Sequence, residues 1–166
     1  LFTAKCPPMM SAADEALSFA SRAAPLTAIS AAEEALSRLL DASVEMRGAF
    51  VVGLPVEVRG ALFNCAVVIS RGEIVGVVPK QSLPNHGAFG ESRWFASGVS
   101  MEFDYCTLCG REVPFANELI FTADDVRFGV EIGEDLWAVV PPSSRMAVRG
   151  VELILNPAAC PEEAEK

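Results

Sequence analysis

The stretch Leu62-Phe63-Asn64-Cys65-Ala66-Val67-Val68-Ile69-Ser70-Arg71-Gly72-Glu73-Ile74-Val75-Gly76-Val77-Val78-Pro79-Lys80 decides how this chain is read. Leu62–Ser70 and Glu73–Pro79 are apolar runs of strand length. Arg71-Gly72 between them is a two-residue turn in which glycine supplies a positive φ. The two runs are therefore predicted to form a hairpin. The second strand ends on a charge, Lys80.

Upstream, Ala49–Leu54 is apolar throughout, as expected of a strand covered on both faces. Before it, Ser30-Ala31-Ala32-Glu33 has the form of a capping box that opens a helix to about Ala42. Leu36, Leu39 and Leu40 recur at helical spacing and are predicted to form its buried stripe. Residues 1–30 are rich in Ala and Ser, with a weaker helical signal over Ala12–Ala23.

Downstream, Lys80–Ser100 has little periodicity and reads as a long loop, a place where function concentrates. Met101–Cys106 and Arg111–Phe115 form another predicted hairpin, turning at Cys109-Gly110. Leu119–Thr122 and Arg127–Ile132 are strands joined by a turn at Asp124-Asp125. Pro141-Pro142-Ser143-Ser144 starts a helix to about Arg149, because proline suits a first turn. Gly150 ends that helix, and Val151–Leu155 is predicted to be a buried strand. Hairpins combined with a helical crossover imply an α/β fold with mixed sheets.

The 166 residues suit one domain, and half of them are apolar. A net charge of −9 argues against nucleic acid or an anionic membrane as partner. No apolar run reaches membrane-spanning length. The opening Leu1-Phe2-Thr3 has no basic segment ahead of an apolar run, so no signal peptide is expected there. It also lacks an initiator Met, which suggests a piece of a longer or processed chain. Five scattered cysteines fit reduced thiols in a cytoplasmic protein. Cys106 and Cys109 have the spacing of half a zinc site, but no second half accompanies them. They read as two small residues flanking a turn, and no metal is expected.

Strand ends are where α/β proteins place their chemistry. Two segments qualify: Val77-Val78-Pro79-Lys80, and Val130-Glu131-Ile132-Gly133-Glu134-Asp135-Leu136-Trp137. By spacing alone, Lys80 reads as a surface charge that terminates a strand. Glu131, Glu134 and Asp135 read as a solvated turn.

The residues suggest more than their spacing does. Gly76–Lys80, Leu83-Pro84-Asn85, Phe89, Glu91 and Arg93-Trp94-Phe95 together resemble the lysine segment of nitrilase-superfamily amidases. They are nearest to the glutaminase domain of glutamine-dependent NAD synthetases. Val51–Pro55 with Asn64–Ile69 fits the same family. Phe128–Trp137 is similar to its nucleophile segment, and Pro141–Ser144 and Asn156 follow in order. The resemblance covers about Ala31–Asn156. It divides the chain into a poorly matched segment, 1–30, and a partial glutaminase-like domain, 31–166.

The resemblance implies a four-layer sandwich, helix–sheet–sheet–helix, incomplete on its C-terminal side. It implies glutamine as the family's substrate and no cofactor in this domain. ATP and the NAD precursor would bind a separate synthetase domain, a partner of this one, and a homo-oligomer is also implied. By match, Lys80 is the oxyanion lysine and Glu91 the supporting glutamate. Glu134 and Trp137 line the glutamine pocket, and His86 falls where the family tends to have a tyrosine near the substrate.

The family's nucleophilic cysteine is replaced by Gly133. Its Phe-Pro-Glu base segment falls near Met9–Ala12, which holds no carboxylate, and neither Asp14 nor Glu15 takes over the match. The resemblance therefore implies the ammonia-supplying glutamine amidohydrolase domain of that family, inactive in this copy; the alternatives are a catalytically dead scaffold or dimerisation module, or a different nitrilase-family C–N hydrolase. An incomplete sandwich would expose apolar sheet surface. The isolated chain is therefore expected to self-associate in analytical ultracentrifugation; a monomer with a sharp thermal transition would contradict this.

Overall fold

The computed structural model describes residues 25–85 and 90–159, with side chains from Ile29 onward. Helix α1 spans Pro25–Ser43. It starts earlier than the Ser30 capping box predicted, and Ser30 is an exposed mid-helix residue. The Leu/Ala-rich run through this region favours continuation over a cap at Ser30. Ala32, Leu36, Leu40 and Ser43 form the buried stripe. Leu39 lies about 100° round the helix from Leu40 and is exposed, against expectation. The weak helical signal at 12–23 lies outside the described residues.

A five-stranded sheet follows, in the order β1-β2-β3-β5-β4. Its strands are β1 (Phe50–Val58), β2 (Ala61–Ser70), β3 (Glu73–Pro79), β4 (Asp104–Leu108) and β5 (Arg111–Phe115). Strand β1 runs past Pro55, further than the sequence suggested. Proline is tolerated there because β1 is an edge strand. The turns at Arg59-Gly60, Arg71-Gly72 and Cys109-Gly110 each place two consecutive residues at positive φ. That is the geometry of a type I′ hairpin turn. Cys106 lies in the core, and the Cys109 thiol donates to the Glu33 carbonyl of α1. Strand β3 pairs with β5 in parallel, so the sheet is mixed.

The second sheet has the order β6-β7-β8, with β6 at Ile120–Ala123, β7 at Val126–Val130 and β8 at Leu153–Leu155. Strands β7 and β8 are parallel, linked through helix α2 (Pro142–Val148). Strand β8 lies at the sheet edge with Leu153 exposed, so it is half-buried and not the buried strand expected.

Two apolar layers hold these parts together. Leu36 and Leu40 of α1 pack with Leu54, Val56, Val67, Val77 and Phe115. On the other face, Ala66, Val68 and Val78 meet Phe121, Phe128 and Val130 of the second sheet. Alternation along β2 sends Cys65 and Val67 one way and Ala66 and Val68 the other. The unbroken apolar run of β2 is thus explained by cover on both faces. On the far side of β7, Gly129 faces Met146 of α2. The layers are α1, first sheet, second sheet, α2. Among the described residues no helix is long and apolar enough to cross a membrane.

The two sheets approach closely at Gly76. A Cβ there would lie 2.8 Å from Leu119 Cδ1 and 3.0 Å from Phe121 Cε1. Gly76→Val is expected to destabilise the fold by about 1–3 kcal/mol, as overpacking does. Urea denaturation measures this, and Leu119→Ala in the same chain should recover part of the loss.

Candidate functional site

The site forms where two strand ends meet. Strand β3 extends one residue beyond its last pair, with the Lys80 N–H donating to the Asn64 carbonyl at 2.8 Å. The loop then folds back: the Gly98 N–H donates to the Lys80 carbonyl at 2.8 Å, and Gly98 packs on Pro79. Lys80 is buried at 5% exposure, so it is not the surface charge its spacing suggested.

A buried ammonium needs a counter-charge. Glu91 supplies it from a short 3-10 turn, Glu91–Arg93, with Lys80 Nζ donating to Glu91 Oε1 at 2.8 Å. The second oxygen, Glu91 Oε2, is buried and has no hydrogen-bond partner among the described residues. Residues 86–89, including the candidate His86, lie outside the described residues.

From the other sheet, β7 runs through Glu131 and Ile132 into a second 3-10 turn, Gly133–Trp137. Gly133 has φ +49, in the left-handed region where glycine is at ease. Its N–H donates to Asn156 Oδ1 at 2.9 Å, and Asn156 Nδ2 donates back to its carbonyl at 3.2 Å. A Cβ on Gly133 would meet nothing closer than 3.9 Å, and one of those nearest atoms is Lys80 Nζ. The turn therefore aims position 133 at the buried lysine. Glu134 lies on the same turn, and Trp137 ends it at 77% exposure.

Two acidic residues that read as a solvated turn are in fact buried at 1% exposure each. Glu131 accepts from the Ser143 N–H at 2.9 Å, serving the first turn of α2, which has no side-chain cap of its own. Asp135 accepts from the backbone N–H groups of Gln81, Ser82 and Ile132. Burial raises the Asp135 pKa above its usual value, partly opposed by those N–H groups and Lys80. This titration favours the fold most below the unfolded value and is lost as pH rises through the folded one. Gln81 is also held by Arg145 of α2, at 2.9 Å, and Arg145 pairs with Glu118. Charge-rich sequence marked none of these residues as buried. Only the sharp strand-to-turn change after Ile132 was a signal.

No family model matches the chain. It is 37% identical over 136 residues, 80% of its length, to the glutamine-dependent NAD(+) synthetase of Mycobacterium tuberculosis. It is 31% identical over 132 residues to that of Rattus norvegicus. The glutamine-dependent NAD(+) synthetase structure from Cytophaga hutchinsonii superposes at TM-score 0.63, with 27% identity, over 78% of this chain and 20% of that one. The chain is a relative of one segment of the glutamine-dependent NAD(+) synthetases. An amidase of Nesterenkonia matches this chain in fold alone, at TM-score 0.60 and 19% identity over 82% of the chain. The domain spans about one fifth (20%) of the length of the M. tuberculosis protein.

Two substitutions should separate space from charge at this site. Gly133→Ala has room, so its cost is the left-handed backbone alone, about 1–2 kcal/mol. Lys80→Met strands the Glu91 carboxylate, whose side chain is 19% exposed; breaking such a pair costs about 3 kcal/mol. Urea titration of both variants is expected to give that order, and the reverse order would mean the turn cannot take a side chain.

Proposed function

We propose that this domain derives from a glutamine amidohydrolase, the ammonia-supplying part of a glutamine-dependent NAD synthetase, and that this copy does not hydrolyse glutamine. One observation carries the reading: at the position 3.9 Å from the buried Lys80 ammonium, where a nucleophile would stand, Gly133 offers no side chain.

The chemistry that such a site serves is acyl transfer from a carboxamide. A thiol attacks the carbonyl carbon, a carboxylate moves its proton to the leaving ammonia, and a fixed cation stabilises the oxyanion. Lys80 has the burial and charge for the last task, with Glu91 as its support. Glu134 and Trp137 are the proposed pocket residues on the turn, and His86 is a candidate in the loop. The attacking group is the missing part. Cys65 and Cys106 do not replace it: both are core residues. Burial pushes both thiols up, Cys65 well above the usual range and Cys106 to about 11. Loss of a covalent nucleophile costs several orders of magnitude in rate.

In this reading glutamine is the ancestral substrate and this domain needs no cofactor or metal. ATP and the NAD precursor belong to a synthetase domain that acts as its partner, in the cytoplasm. A second reading, a scaffold that pairs with another copy, is favoured by the exposed Trp137, Val139, Val140 and Val148 around the second turn and α2.

Ammonia release from glutamine by the purified chain tests the first reading. No release above a protein-free control is expected, and clear turnover would overturn it. Gly133→Cys alone is also expected to stay inactive, because no base is matched. Activity in that variant would show that a carboxylate such as Asp14 or Glu15 serves as one.

A further inference from the structure

We infer that Asp135 is a positioning residue: its carboxylate clips the backbone after Lys80 to the backbone before Gly133, and so sets how the lysine faces the side chain at position 133. The inference rests on the reading of Lys80 and position 133 as one site.

The geometry is specific. Oδ1 accepts from the Ser82 N–H at 2.6 Å and the Gln81 N–H at 3.0 Å. Oδ2 accepts from the Ile132 N–H at 3.1 Å. Gln81 and Ser82 directly follow Lys80, and Ile132 directly precedes Gly133. The two segments belong to different sheets, so their relation is not fixed by one ladder. Three charge-assisted bonds to a side chain at 1% exposure fix it here. The bond to Ile132 also closes the turn on itself, so that the clip and the turn's shape depend on the same oxygen pair. A side chain that served the turn alone would have no need to reach Gln81 and Ser82.

This predicts a sign that a charge effect cannot give. A carboxylate near position 133 disfavours a thiolate there, so its neutralisation alone lowers a neighbouring thiol's pKa. Loss of the clip moves Lys80 away and raises it. The charges near the thiol would be Lys80, Glu91 and Asp135, with Glu134 on the same turn.

The experiment uses the full chain carrying Gly133→Cys as a reporter. Alkylation by iodoacetamide is followed at that residue by peptide mass spectrometry across pH, and the midpoint of the rate curve gives the thiol pKa. Beside Lys80 the midpoint is expected at least about one unit below the ordinary cysteine value of about 8.5. Adding Asp135→Asn is expected to raise it by about one unit, a shift comparable to that from Lys80→Met. A midpoint that falls or stays put with Asp135→Asn, while Lys80→Met raises it, would overturn the clip and leave the site reading standing. No effect of Lys80→Met would overturn both. Should Asp135→Asn fail to fold, hydrogen exchange in the unsubstituted chain decides. The amides of Gln81, Ser82 and Ile132 are expected to share one opening free energy, and three unrelated values would overturn the clip.

Discussion

A lysine ammonium cannot sit at 5% exposure without a partner, and that constraint organises one end of this molecule. The Lys80–Glu91 pair at 2.8 Å joins the end of β3 to a loop that has little regular structure of its own. Desolvating two charges is expensive, and a pair buried this way rarely adds net stability over apolar side chains. Its value is geometric. The loop must return to bring Glu91 to Lys80, and in returning it seats Gly98 on Pro79 and Phe95 in the interior. The strand end is thereby closed from above while the lysine's head remains turned to position 133.

The sandwich beneath supplies the rigidity that this arrangement requires. Strand β2 is apolar on both faces because α1 lies against one and the second sheet against the other. Strand β3 shares that cover up to Val78, two residues before the lysine. The parallel pairing of β7 with β8 brings Asn156 beside Gly133, where it both donates to and accepts from the glycine's backbone. Each half of the site is thus an extension of a buried strand, and side chains projecting from such strands are better fixed than those on loops.

Much of this fold was legible from residue pattern. The hairpin of β2 and β3 followed from two apolar runs and Arg71-Gly72, since a local turn leaves a local signature. The helix at Ser30 did not, because a capping box is a valid local signal that helix-forming residues on both sides override. Leu39 shows the same limit: helical spacing admits it, and only the shape of the sheet decides that Leu36 and Leu40 are enough. At the site, Lys80 and Glu91 were named by resemblance and not by pattern, which would have left Lys80 on the surface. Asp135 was missed for a physical reason. Its partners Gln81 and Ser82 lie more than fifty residues away and bind through backbone N–H groups, which carry no side-chain signature (for Gln81 the separation is 54).

Gly133 joins these threads. A side chain at φ +49 carries a backbone penalty of about 1–2 kcal/mol, and such strain persists at functional sites because the chemistry needs it. Glycine pays no such penalty. The turn is also held by bonds that do not involve residue 133's side chain: Asn156 on its N–H and carbonyl, and Asp135 on the preceding N–H. In the proposed reading, a change from cysteine to glycine removes the reacting atom, relieves the backbone, and disturbs no contact on which the turn depends. The surroundings of a nucleophile can outlast the nucleophile because they are built from groups that the fold itself holds in place. On that reading, a buried lysine, its glutamate and a sharp turn remain arranged around a position with no side chain.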